Sequence, residues 1–158
     1  MSMDMMESLV NKVIKINRGG PESSYGILLG VRKDYLILYS EDDGVVYFKN
    51  QHIKSLTESS NNGKNNNKNN QNYSLDQLST LDYVAPDYFD ELIADLKYQW
   101  VTINRGGAEK VEGFLHDSNG EFVALFGNDE MLRISMYHIR SISYGVQLEE
   151  EEEEDNES

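Results

Sequence analysis

Apolar and polar residues alternate over Val13–Ile16 and again over Val101–Ile103, the two-residue period of a half-buried strand. Each segment runs into the same turn, Asn17-Arg18-Gly19-Gly20 and then Asn104-Arg105-Gly106-Gly107. The stretches that follow also correspond: "YGILLGV" with "EGFLHD", "YLILY" with "FVALF", "VVYF" with "MLRI", and "HIKSL" with "HIRSI". Each reads as a short strand, and the second pair of stretches is strand-like with both faces apolar, so both need cover. A helical spacing precedes each series. Phe89, Leu92, Ile93, Leu96 and Trp100 form one apolar stripe, with Asp87 expected as N-cap and Asp90 three residues on. A weaker stripe, Met5, Met6, Leu9 and Val13, precedes the first series.

The chain is thus one unit written twice, and repeats of this kind decide the fold. A helix followed by a meander of about five short strands predicts a mainly β protein with short helices. It would hold two tandem small barrels, Sm-like or SH3-like, each preceded by a helix. Units of this size are marginal alone, so the pair is expected to pack as a pseudo-dimer. The predicted boundaries are a first helix-plus-barrel repeat over 1–56, an Asn-rich flexible linker over 57–72, a second repeat over 73–147, and a disordered acidic tail over 148–158. Tyr35, Ile37 and Tyr39 with Phe122, Ala124 and Phe126 are the expected inter-repeat face. Leu36, Leu38, Val123 and Leu125 on the alternate face are then core.

Charge narrows the partners. The formal net charge is -14, and the run from Glu149 concentrates much of it. An acidic body disfavours non-specific nucleic-acid binding and anionic lipid, and favours basic partners. The chain has no cysteine, which removes disulfides, thiolate metal sites and cysteine nucleophiles. No basic-then-apolar leader pattern opens the sequence, and no apolar run is long enough to span a bilayer.

No phosphate-binding loop, dinucleotide fingerprint, nucleophile elbow or metalloprotease helix occurs, so no catalytic, cofactor-binding or metal-ligating residues are assigned and no enzyme is expected. His52 and His138 occupy equivalent places and read as strand-entry residues with structural hydrogen bonds. The repeated turn has two readings. Gly supplies positive φ and Asn tolerates it, so the turn simply joins two strands, with Arg18 paired to a carboxylate such as Glu22. Alternatively, backbone N–H groups and a flanking arginine form an anion site, which would make Asn17, Arg18, Gly19, Gly20, Asn104, Arg105, Gly106 and Gly107 two docking turns for a partner.

Taken together, "INRGGPES", "YGILLGVRKDYLILYSEDDGVVYF", "HIKSLTE", "QWVTINRGGAEKVEGFL" and "LRISMYHIRSISYG" resemble the spore coat protein B family of bacilli. The resemblance implies a structural component of the outer endospore coat, made in the mother-cell cytoplasm and deposited near the spore surface. Its expected partners are other coat proteins, basic ones among them, with no nucleic acid and no membrane. Tyr35, Tyr39, Tyr47 and Tyr144 are candidates for oxidative crosslinking there. The family can carry a phosphorylated Ser-, Lys- and Arg-rich region, and in its place this sequence has the acidic run, whose fixed charge is expected to serve instead. The alternative is a small Sm-like nucleic-acid-binding module, for which exposed aromatics on a small barrel would be the platform.

Overall fold

The computed structural model describes residues 2–58 and 73–148. The expected linker from residue 59 onward and the acidic tail from 149 lie outside the described residues. Thr57 and Glu58, read as linker from the sequence, continue a strand.

Among the described residues ten strands form one antiparallel sheet. The first half supplies β1 (Val13–Ile16), β2 (Ser24–Val31), β3 (Tyr35–Ser40), β4 (Gly44–Lys49) and β5 (Leu56–Glu58). The second supplies β6 (Trp100–Ile103), β7 (Val111–Ser118), β8 (Phe122–Gly127), β9 (Glu130–Ser135) and β10 (Ser141–Ser143). Across the sheet the order is β5-β1-β2-β3-β4-β10-β6-β7-β8-β9. Each half therefore places its last strand beside its first and then proceeds in chain order. Both halves also interrupt the register at the same place, between Leu28 and Gly30 in β2 and between Leu115 and Asp117 in β7.

The expected mainly β class with short helices is observed, and the two halves join in a single sheet that is not closed. The physical reason is the pairing of β4 with β10, where Ser141, Ile142 and Ser143 stand opposite Phe48, Tyr47 and Val46. Each of these strands would otherwise leave a row of unpaired N–H and C=O groups, and each satisfies the other's. The last strand of each half also begins later than its apolar pattern suggests. A single 3-10 turn, Asn50–His52 or Met136–His138, occupies the start of "HIKSL" and "HIRSI" or the residues just before.

Among the described residues three short α-helices accompany the sheet: α1 (Met3–Glu7), α2 (Leu75–Leu78) and α3 (Phe89–Asp95). A reciprocal pair of bonds between Ser74 and Gln77 opens α2. The start of α3 differs from its sequence reading. Asp87 is not its cap; the Phe89 N–H donates to Asp34 Oδ1 at 2.8 Å, so the β2–β3 turn of the first half caps the helix of the second. Trp100 leaves the helical stripe and opens β6 instead.

Two apolar clusters hold the fold. One lies under α1 and contains Met6, Leu9, Ile14, Ile16, Leu28, Leu36, Leu38, Val46 and Phe48. The other is shared between halves. Tyr35, Ile37, Tyr39, Val45 and Tyr47 from the first half join Phe89, Leu92, Ile93, Leu96, Leu115, Val123, Leu125 and Ile142 from the second. Both faces of β3 are thus covered, each by a different cluster. The buried tyrosines remain satisfied because their hydroxyls reach main chain. Tyr47 donates to the Val84 carbonyl at 2.7 Å, Tyr35 donates to that of Pro86, and the Tyr39 hydroxyl accepts from the Leu148 N–H at 3.0 Å. Burial pushes the Tyr35 and Tyr47 phenols well above their ordinary range. These residues are inside the molecule, so oxidative crosslinking at Tyr35, Tyr39 or Tyr47 has no surface to act on; the exposed tyrosines include Tyr88, Tyr98 and Tyr137.

Candidate functional site: the junction of the two turns

Both repeated turns leave a strand through an asparagine at positive φ, Asn17 at 63° and Asn104 at 58°. Asparagine tolerates this region because its short amide can bond locally. The amides here do more than tolerate it. Asn104 Oδ1 accepts from the N–H groups of Arg140 (2.6 Å) and Ser141 (3.4 Å), and its Nδ2 donates to the His138 carbonyl at 3.0 Å. Asn17 Oδ1 accepts from Lys54 and Ser55 in the same manner, at 2.7 and 3.4 Å. Each asparagine therefore ties the end of its first strand to the entry of its last. Asn104 is 4% exposed. Asn104→Ala is expected to cost about 2–3 kcal/mol through an orphaned buried polar cluster and a disfavoured φ. Asn17→Ala, in a less buried copy, is expected to cost about half as much. Chemical denaturation of the two variants checks the ranking.

The arginines differ sharply between copies. Arg105 places Nε 2.6 Å from Asp43 Oδ2 and donates through Nη1 to the Ser23 carbonyl at 3.2 Å. Both acceptors belong to the first half, so Arg105 bridges the junction. Arg140 does the same, reaching Glu22 at 2.9 Å and Glu109 at 3.2 Å. The sequence reading paired Arg18 with Glu22, and Glu22 is instead held by Arg140. Arg18 itself is exposed and forms no ion pair among the described residues. Gly106 and Gly107 press against the first turn, where an added Cβ would overlap the Pro21 carbonyl oxygen or crowd the Glu22 carboxylate. Gly19 and Gly20 face open space.

Asn17, Glu22, Phe48, Lys49, His52, Asn104, Arg105 and Arg140 line a small cleft where the halves meet. Lys49 is buried there, donates to the Met136 carbonyl at 2.6 Å and lies 5.3 Å over the Phe89 ring. Burial lowers its pKa from the ordinary lysine value. His52 Nε2 lies 2.9 Å from the Tyr137 carbonyl across the same junction, and burial lowers its pKa too. The cleft's arginines are already matched by Asp43, Glu22 and Glu109. Its chemistry is that of a charge-balanced seam between halves. Among the described residues no cluster of three or more histidine or carboxylate side chains is placed to hold a metal, and no helix is long and apolar enough to cross a membrane.

The expected inter-repeat face divides. Tyr35, Ile37 and Tyr39 lie in the shared cluster with Val123 and Leu125. Ala124 is buried outside that cluster, Phe122 is half-buried and Phe126 is 45% exposed. Sequence reasoning missed a surface that the register makes plain. Trp100, Phe114, Phe126 and Met131 are successive cross-strand neighbours over β6, β7, β8 and β9, and all four are exposed. The corresponding row of the first half, Val13, Ile27, Tyr39 and Val45, is largely covered. Its apolar character was visible in the sequence, but only the fold shows that nothing described covers the second copy.

No protein-family model matches the chain, and no solved structure matches it. It is 36% identical over 137 residues to "Spore coat protein B" of Bacillus subtilis (strain 168). That match takes in 87% of this chain, and the chain spans about a third (33%) of the length of that relative. Over those 137 residues this chain is a relative of spore coat protein B.

Proposed function

We propose that the chain is a structural component of a bacterial spore coat and acts by binding other coat proteins rather than by catalysis. Kinship with spore coat protein B carries this reading. The exposed row Trp100, Phe114, Phe126 and Met131 supports the mode of action, because a contiguous apolar strip on a sheet face is characteristic of a protein–protein contact. Partners with basic rims suit the acidic chain, which carries a formal net charge of -14. Deposition in the outer coat after synthesis in the mother cell belongs to the same proposal, and so does a docking role for the outward turn at Asn17–Gly20.

The test is fractionation of spores from cells expressing a tagged chain. The wild-type chain is expected in the coat extract. Phe126→Ser with Met131→Ser, which removes two exposed apolar groups from the strip, is expected to shift most of it to the soluble mother-cell fraction. Wild-type protein found only in that soluble fraction would overturn the coat reading. Equal incorporation of the double variant would overturn the role of the strip. A titration with single-stranded RNA separates the nucleic-acid alternative, since backbone binding weakens steeply with salt.

A further inference from the structure

The sheet ends in two edges that repeat its own centre. At the centre, β4 of the first half pairs with β10 of the second. By the repeat, β9 corresponds to β4 and β5 corresponds to β10, and these are the two end strands of the sheet. We infer that the chain self-associates head to tail, with β9 of one molecule pairing with β5 of the next and reproducing the β4–β10 junction between molecules. This goes beyond the coat reading and does not depend on where the protein is deposited.

The hydrogen-bonding groups face the right way. Val45 and Lys49 donate across the central junction, to the Val146 and Arg140 carbonyls. Alternation along the strand then directs the N–H of their counterparts Met131 and Ser135, and that of Arg133 between them, out of the β9 edge. On β5, Leu56 stands opposite Ile16 in a position where its own N–H and C=O face away from β1, because the neighbouring Asn17 N–H bonds to Ser55. Carrying the central register outward sets Leu56 against Arg133, Ser55 against Ile134 and Thr57 against Leu132. Glu58 falls diagonal to Arg133 on the same face, an opposite-charge pair.

The charges repeat as well. Arg105 meets Asp43 at the central junction. Their counterparts are Arg18, exposed, and Asp129, in the β8–β9 hairpin, which is one residue shorter than its mate. Arg140 bridges Glu22 and Glu109, and its counterpart Lys54 would bridge Glu22 of its own chain and Glu109 of the preceding one. The arginine in both turns therefore has one use, as a clamp on the preceding unit, already made within the chain at Arg105 and left for a second chain at Arg18. On α1, Met5 is 42% exposed while its counterpart Leu92 on α3 is fully buried in the shared cluster, as expected of a helix awaiting the same neighbour. Arg133 stands where the centre has Tyr47, so the outer junction is weaker than the inner one and assembly depends on concentration. Such a junction is heterologous, and repetition gives a closed ring or an open filament.

Sedimentation velocity of the full chain over a range of concentrations tests this. Species larger than the monomer are expected to grow with concentration. Arg18→Glu or Asp129→Arg alone should weaken association about tenfold, and the two together in one chain should restore it. Arg133→Pro removes an outward N–H from an edge strand, which the fold tolerates, and should abolish association while circular dichroism stays unchanged. A wild-type chain that stays monomeric throughout, or association indifferent to both the charge swap and Arg133→Pro, overturns the inference.

Discussion

Replacing Phe89 by alanine lowers the free energy of unfolding by about 3–5 kcal/mol and still leaves a single unfolding transition. The size follows from burial: the ring is 1% exposed and packs edge-on to Tyr35 at 5.9 Å, with Lys49 Nζ over its face. The single transition follows from where the ring sits. Phe89 opens the helix of the second half, yet Asp34 caps that helix and Tyr35 packs on it, both from the first half. The Lys33 N–H donates to the Asp87 carbonyl at 3.0 Å, and Arg32 Nε donates to Ala85 at 3.0 Å, so the approach to the helix is held by the first half as well. Removing the ring weakens a cluster that both halves share. Urea unfolding with hydrogen exchange reads the result. Protection of β3 and β4 should be lost together with that of β8, and a variant whose first half stays protected after the second has opened would refute the shared core.

The strands were legible because their pattern is local. Apolar patterning placed eight of the ten stretches within a residue or two of the observed strands, as in Val13–Ile16 for β1 and Tyr35–Ser40 for β3. Pairing beyond the unit was not legible. Nothing in "HIRSI" says that the strand it leads into pairs with β4 of the other copy as well as with β6 of its own, because an edge strand's backbone accepts any antiparallel partner. The faces failed for the same reason. Tyr39 and Phe126 have matching sequence settings, yet one is 3% exposed and the other 45%, and the difference is the cover given by segments distant in sequence. At the site, the asparagines and glycines announced a turn with positive φ. Their partners did not show, since Arg105 reaches Asp43 and Arg140 reaches Glu22 only through the β4–β10 pairing.

Gly106→Ala and Gly19→Ala make the same chemical change at the same step of the two turns, and their outcomes should diverge. Gly106 has a φ of +83°, and a Cβ there would overlap the Pro21 carbonyl oxygen, which is backbone and cannot rotate aside. Positive φ and forced displacement together are expected to cost about 2–4 kcal/mol. At Gly19 a Cβ meets nothing within 4 Å and φ is unexceptional, so the change should be neutral to within about 0.5 kcal/mol in the monomer. Denaturant midpoints at low protein concentration measure both. Positive φ alone would cost about 1–2 kcal/mol at Gly106, so a loss beyond that reads the contact across the junction. If Gly106→Ala proved as mild as Gly19→Ala, the second turn would not be pressed against the first. The Arg105–Asp43 bridge, which needs that approach, would then lose its support.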